Sequence, residues 1–269
     1  MKRWGRTAIG IVIVLVLLFP LYWMVNASLQ PSGALLKADP DWFPVHPTFT
    51  GYTSAFSGQL DHLLTSVIVA LGTVAVSLLI AMPAAYALAQ LKIRGGPLFV
   101  FALLIVQMIP GIVMANSLYT VFSDLNLIDS YTALILADST ATIPFAILVL
   151  RAFMIAIPRD LTEAARVDGA GYLRTFAAIV VPVSRNAMVT AGLFAFLFAW
   201  ADFLFGVTLT TGSTIEPITV GIYKFIGNQT ADWNGIMATA VLASVPAAVL
   251  LVIAQRYVVA GVTGGAIKE

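Results

Sequence analysis

The sequence has no cysteine, which excludes disulfides and thiolate metal sites. It has only two histidines, His46 and His62, sixteen residues apart and in no familiar ligand spacing. Charge is scarce: 10% of the 269 residues, where soluble domains carry about 25%. The net charge of +1 gives no electrostatic footprint for nucleic acid. No lysine follows a glycine, so the Gly-Lys-Ser/Thr element that cradles nucleotide phosphates is missing. Neither Gly-x-Ser-x-Gly nor His-Glu-x-x-His occurs. There is no low-complexity tract and no internal repeat.

Apolar residues fill the space: 60% of the chain, with a mean hydropathy of +0.96. A bilayer span needs about 20 apolar residues. Six stretches qualify: Ala8–Val25, Leu63–Ala89, Pro97–Ala115, Tyr131–Leu150, Ala187–Thr210 and Ile236–Ala254. The expectation is an all-α polytopic protein with six transmembrane helices, a single domain over 1–269. Lys2, Arg3 and Arg6 before the first run also suit a signal peptide. That run is long for a signal sequence and Asn26-Ala27-Ser28 is a poor cleavage site, so a retained first helix is expected.

Basic residues orient the spans. Twelve of the fourteen Lys and Arg fall at the N-terminus, at Lys92 and Arg94, between Arg151 and Arg185, or at the C-terminus. The opposite side holds only Lys37 and Lys224. Both termini are therefore expected in the cytoplasm. Five spans carry a proline: Pro20, Pro83, Pro110, Pro144 and Pro246. Each removes an amide donor and crowds the preceding turn. Ordinary bundle packing and bending around a pathway both account for them.

The cytoplasmic segment 151–186 is more than a connector. Asp160 and Glu163 suit a capping box, Leu161–Asp168 reads as a short helix, and Gly169 supplies a left-handed stop. Tyr172–Val180 reads as a second helix closed by Pro182. Such a knob suits docking into a protein groove. An amphipathic helix lying on lipid is the alternative, and the acids at 160, 163 and 168 weaken it.

Glu163-Ala164-Ala165, Gly169, Ile179 and Pro182 keep the spacing of the EAA motif, and the loop resembles that of ABC importer permeases. Val181 stands where leucine is usual. The resemblance implies a coupling helix that enters a cleft of a cytoplasmic ATPase, with Glu163, Ala164, Ala165, Asp168 and Gly169 making or shaping the contact. The tail from Gln255-Arg256-Tyr257 to Lys268, Trp200-Ala201-Asp202-Phe203 and Asp232-Trp233-Asn234 resemble the MalG-like permeases of carbohydrate importers. Ala201 and Asn234 depart from that pattern. The resemblance covers essentially the whole chain. It implies a second homologous permease subunit, two copies of an ATP-binding subunit and an extracytoplasmic solute-binding protein as partners, besides membrane lipid. No cofactor is expected on this chain, since ATP and Mg would sit on the partner subunits, and no enzymatic activity is expected of it.

Asp138 and Asp202 are the only acids inside the expected spans. Charge there is costly and faces a bundle interior or a wet cavity. At 1.5 Å per residue, Asp138 lies roughly 12 Å below the outer end of its helix and Asp202 roughly 22 Å above the inner end of its own. A shared cavity with Trp200, Phe203, Phe205, Gln107 and Asn116 as further sugar-contacting candidates follows. A polar contact between helices is the bland alternative. Tyr223, Phe225 and Trp233, in the last outer segment, are candidates for contact with the binding protein; an aromatic interface belt is the alternative. An ion-coupled secondary transporter is the rival function, with the two acids as ion sites. Six spans without a repeat are few for that class. An intramembrane aspartyl protease would need sequence contexts that neither acid has.

Overall fold

A computed structural model describes residues 3–31, 33, 35, 41–91, 93–212, 215–228 and 232–266, with no side-chain description at 3, 227, 228 and 256–266. Lys2, Lys37, Lys92 and Lys268, which carry part of the charge bias, lie outside the described residues, as do the tail side chains from Arg256 onward. The helices run α1 (Arg3–Ser28), α2 (Thr50–Gln90), α3 (Gly96–Val106), α4 (Gly111–Asp124), α5 (Tyr131–Ile155), α6 (Arg159–Val167), α7 (Tyr172–Thr175), α8 (Val181–Val183), α9 (Arg185–Ala201), α10 (Leu204–Leu209), α11 (Ile218–Asn228) and α12 (Trp233–Ala266). No strand occurs among the described residues.

Among the described residues, four helices are long and apolar enough to cross a bilayer unbroken: α1, α2, α5 and α12. The third expected span is instead two helices, α3 and α4, bent by 94°. The fifth run also departs from a single helix, because α9 stops at Ala201 and α10 resumes at Leu204. The causes are local. Pro110 cannot continue the amide ladder of α3 and becomes the N-cap of α4 (φ −58°, ψ 133°). Asp202 adopts extended backbone (φ −65°, ψ 130°), and its carboxylate takes up amides of the next helix. Pro20, Pro83, Pro144 and Pro246 lie inside continuous helices, so of the five prolines only Pro110 marks a break of this kind.

The chain divides into two compact units. Residues 1–63 and 220–246 form the first. There the Asn234 amide donates to the carbonyls of Ser28 (2.8 Å) and Gln30 (2.5 Å), the end of α1. Gly51 lies so close that a Cβ on it would overlap Asn234 Oδ1 and meet its backbone oxygen at 2.8 Å. Asn234, a departure from the resembled pattern, is thus a strut for the chain leaving α1.

Residues 64–219 and 247–269 form the second unit. α5 is its axis, N-capped by Ser130, which accepts from Ala133 N at 3.2 Å. Two apolar cores lie along α5. One gathers Val69, Ala115, Phe122, Leu134, Phe205 and Leu209. The other gathers Met82, Tyr86, Ile147, Leu150, Met154 and Val180. α9 presents Ala187, Ala191, Ala195 and Ala199 at a spacing of four residues, all buried, and Gly192 beside them packs on Val74 and Leu78. Small residues let membrane helices approach closely. Between the two cores Ser77 and Thr142 share a buried hydrogen bond of 2.7 Å. At the far end of α2, Gln90 donates to the carbonyls of Met154 (2.6 Å) and Ile157 (3.2 Å), fixing the entry to the 151–186 loop.

Candidate functional site

The two breaks meet. A cavity of about 280 Å³ is lined by Gln107, Met114, Thr140, Phe198, Asp202 and Phe205 among others. Gln107 is the C-cap of α3 and Asp202 that of α9. Gly111, just past the first break, lies 3.2 Å from Leu204 measured from an ideal Cβ. Irregular backbone at membrane depth is tolerated only where protein buries it or a cavity needs it. Here the open turns furnish an amide and a carboxylate, α5 adds a hydroxyl, and two phenylalanine rings with aliphatic side chains form the rest of the wall. That donor and acceptor set suits a polyhydroxylated molecule.

Asp202 has a second task. Its Oδ2 accepts from Gly206 N at 3.0 Å, and the amides of Leu204 and Phe205 also face it. It thereby caps α10, and its own carbonyl accepts from Thr219 Oγ1 at 2.5 Å. Asp138 is 5% exposed and does not line the cavity. Its carboxylate receives no hydrogen bond among the described residues, though the Asp202 charge is near enough to act on it. Trp200 is buried and stacks on Phe196 at 5.4 Å, away from the cavity lining. Asn116 is exposed on α4 and likewise does not line it. Of the seven residues expected along a solute path, the structure brings Gln107, Asp202 and Phe205 together, and Phe203 is not in the lining. Thr140 and Phe198 had not been singled out. The Pro110-Gly111 dipeptide, a strong breaker signal, was the clue to the bent third span.

The 151–186 loop forms the expected knob, with different details. α6 begins at Arg159 behind Pro158, and no side chain caps it. Asp160 therefore lies inside the first turn instead of capping it, where its charge still favours the positive helix end. Gly169 has φ +83°, the left-handed stop expected, and nothing lies within 4 Å of a Cβ built on it. The second helix does not end at Pro182. It runs through a π-helical stretch, Phe176–Val180, into α8, which contains the proline. A proline crowds the carbonyl four residues back, and a widened turn relieves it. The chain then turns by 77° into α9.

Arg166 stacks its guanidinium 4.7 Å from the centre of the Tyr172 ring and donates to its hydroxyl at 3.1 Å, tying α6 to α7. Ala165 is turned inward at 8% exposed. Glu163, Ala164, Asp168 and Gly169 face outward. Val167 and Leu173 stand 87% and 79% exposed beside them. A polar cavity of about 480 Å³ under the knob is lined by Tyr86, Gln90, Arg159, Glu163, Arg166 and Tyr172 among others.

In the first unit Tyr223 and Trp233 are exposed and Phe225 is half-buried. The Phe225 ring lies 3.2 Å from an ideal Cβ on Gly235. No cluster of three or more His, Cys, Asp or Glu that could hold a metal occurs among the described residues.

The family described as binding-protein-dependent transport system inner membrane component matches residues 77–264. The chain is 36% identical over 253 residues to the sulfoquinovosyl glycerol transport system permease protein SmoH of Agrobacterium fabrum, across 93% of this chain and 89% of SmoH. It is 34% identical over 255 residues to the trehalose transport system permease protein SugB of Mycobacterium tuberculosis, across 93% and 92%. A chain of a bacterial ABC transporter involved in the import of the acidic polysaccharide alginate superposes with a TM-score of 0.81 at 21% identity, covering 94% of this chain and 95% of that one, a likeness of fold. With long apolar helices and a family match over most of its length, the chain belongs to the binding-protein-dependent inner-membrane components, the permease subunits of ABC importers.

Proposed function

We propose that this chain forms half of the translocation pathway of an importer for a sugar or related polyhydroxylated solute, driven by separate ATP-binding subunits. The observation that carries the reading is the meeting of two broken helices at a cavity furnished with Gln107, Thr140, Asp202 and two phenylalanines. The printed names of the relatives, for sulfoquinovosyl glycerol, diacetylchitobiose and trehalose, support a carbohydrate.

In this reading both termini are cytoplasmic and a second, homologous permease supplies the other half of the pathway. α1 leaves most of its apolar surface exposed, and the partner permease and lipid cover it. A solute-binding protein docks on the outer side through Tyr223, Phe225 and Trp233. The knob seats in an ATP-binding subunit through Glu163, Ala164, Val167, Asp168 and Leu173, with Gly169 setting its end and Ala165 packing it from within. ATP and Mg bind to those subunits, not to this chain. When two of them close on nucleotide, the knobs move and the bundle passes from one access state to the other. Breaks at Pro110 and Asp202 are natural places for such bending.

The absence of cysteine gives a direct test. A single cysteine at Val167, in the assembled complex, should cross-link to a cysteine in the cleft of the ATP-binding subunit, and the cross-link should block uptake. No cross-link from Val167 or Ala164, with transport normal, would overturn the docking reading. Uptake by the permeases without any ATP-binding subunit would favour an ion-coupled transporter instead.

A further inference from the structure

From Leu63 to Ser123 the chain has no acid, and its only basic residues are Lys92 and Arg94, in the turn between α2 and α3. Gly95 (φ +84°) reverses the chain there. The two helices approach at the turn, where Leu88 lies 3.9 Å from an ideal Cβ on Gly96. Beside this contact they leave a cavity of about 500 Å³. Ala84, Ala87 and Leu88 line it from α2, and Leu98, Phe99 and Ala102 from α3. Such walls offer water too few polar partners to hold it, and at membrane depth hydrocarbon is the natural filling. Arg94 is the one charged side chain in the lining. It is exposed and has no ion pair or side-chain hydrogen bond among the described residues. No side chain caps α3, and the Gly96 amide is spent on the Ile93 carbonyl at 3.3 Å. Ile93 also lines the polar cavity under the knob, where Glu163 is accompanied by Arg159 and Arg166.

We propose that this wedge binds an anionic phospholipid of the cytoplasmic leaflet, with one acyl chain between α2 and α3 and the headgroup phosphate on Arg94. The inference rests on the orientation proposed above, which puts this turn in the cytoplasm, and not on the route of the solute. The guanidinium fork matches two phosphate oxygens, and Lys92 adds to the positive charge of the turn. Basic pockets between helices on the cytoplasmic side suit acidic headgroups. A zwitterionic lipid brings the same phosphate with an ammonium of its own, which cancels the attraction. Free phosphate would satisfy Arg94 and leave the apolar walls uncovered. A phospholipid supplies charge and chain together. One arginine near an anionic surface contributes about 1 kcal/mol, a preference of about fivefold.

The test uses the complete importer in nanodiscs doped with phosphatidylglycerol or phosphatidylcholine, each carrying the same photoreactive group midway along one acyl chain. Labelled peptides are mapped after illumination. Phosphatidylglycerol should label the 84–102 segment about fivefold more than phosphatidylcholine does. Arg94→Gln should bring it down to the phosphatidylcholine level, and Arg94→Lys should keep most of the preference. Ala87→Phe, which fills the wedge and leaves Arg94 in place, should lower labelling by both lipids there while labelling of α12 stays unchanged. Equal labelling by the two lipids, a preference unmoved by Arg94→Gln, or photo-cross-links from this segment to the partner permease in place of lipid would overturn the inference. So would displacement of the lipid by inorganic phosphate at constant ionic strength, which would make this a site for the free anion. Ile93→Cys, probed in sealed vesicles with an impermeant thiol reagent from each side, checks the orientation separately: reaction only from the outer side would overturn the choice of leaflet.

Discussion

Gly169 ends the first helix of the knob with φ +83°, and a Cβ built there meets nothing within 4 Å. Any cost of a side chain within this chain is therefore one of backbone conformation and not of space. For alanine the left-handed region costs about 1–2 kcal/mol. Asparagine tolerates it better, because its short polar side chain bonds locally. A β-branched residue fares worst. α6 has nine residues, too few to be stable alone, so a loss of about 1.4 kcal/mol shifts its folded population roughly tenfold. Hydrogen exchange over 159–175 in the assembled complex reads this population directly, and sugar imported per ATP hydrolysed reads the coupling. Protection should fall in the order glycine, asparagine, alanine, valine, and coupling should follow it. If Gly169→Asn is as damaging as Gly169→Val, the position is defined by close approach of a partner and not by its own φ, and the reasoning fails.

Two further outcomes follow from the packing. Gly51→Ala drives a methyl into Asn234 and its backbone and should lower stability by about 2 kcal/mol or more, read as a drop in thermal unfolding temperature in detergent; Gly58→Ala, with nothing within 4 Å of its Cβ, is the matched control expected to do little. Asp129 accepts from Thr211 N, Thr211 Oγ1 and Gly212 N at 2.7–2.8 Å, clasping the loop after α10. Asp129→Ala should cost about 1–3 kcal/mol, with proteolysis of 210–217 rising. Asp129→Asn, which tolerates the local φ of 60°, should fall between the two.

Legibility in the sequence followed the physics of each signal. Hydropathy exposed the apolar runs, because a bilayer demands length and composition. It was blind to the breaks, since an apolar window averages over a turn: Pro110-Gly111 and Asp202-Phe203 disappear into their surroundings. α2 extends back to Thr50, well before Leu63, because Ser54, Ser57, Gln59, Asp61 and His62 depress hydropathy without breaking a helix. Gly169 was readable, as only a left-handed residue fits after a short helix in that pattern. Asp160 was misplaced because Pro158, a helix starter two residues earlier, already begins α6. The π-helical stretch before Pro182 follows from a clash in three dimensions that no periodicity records. Asp202 drew attention as a buried acid, but its capping of α10 depends on a break the sequence hid, and Thr140 gave no signal beyond a hydroxyl in an apolar run.

If the cavity at the two breaks is the solute's path, its accessibility must change with the nucleotide state and with bound sugar. With no native cysteine, a single cysteine at Thr140 can be titrated with a membrane-impermeant thiol reagent from the outer side of the complete importer. Labelling should be fast when a non-hydrolysable ATP analogue holds the ATP-binding subunits closed, slow without nucleotide, and slowed again by saturating sugar. Labelling indifferent to both nucleotide and sugar would contradict the account.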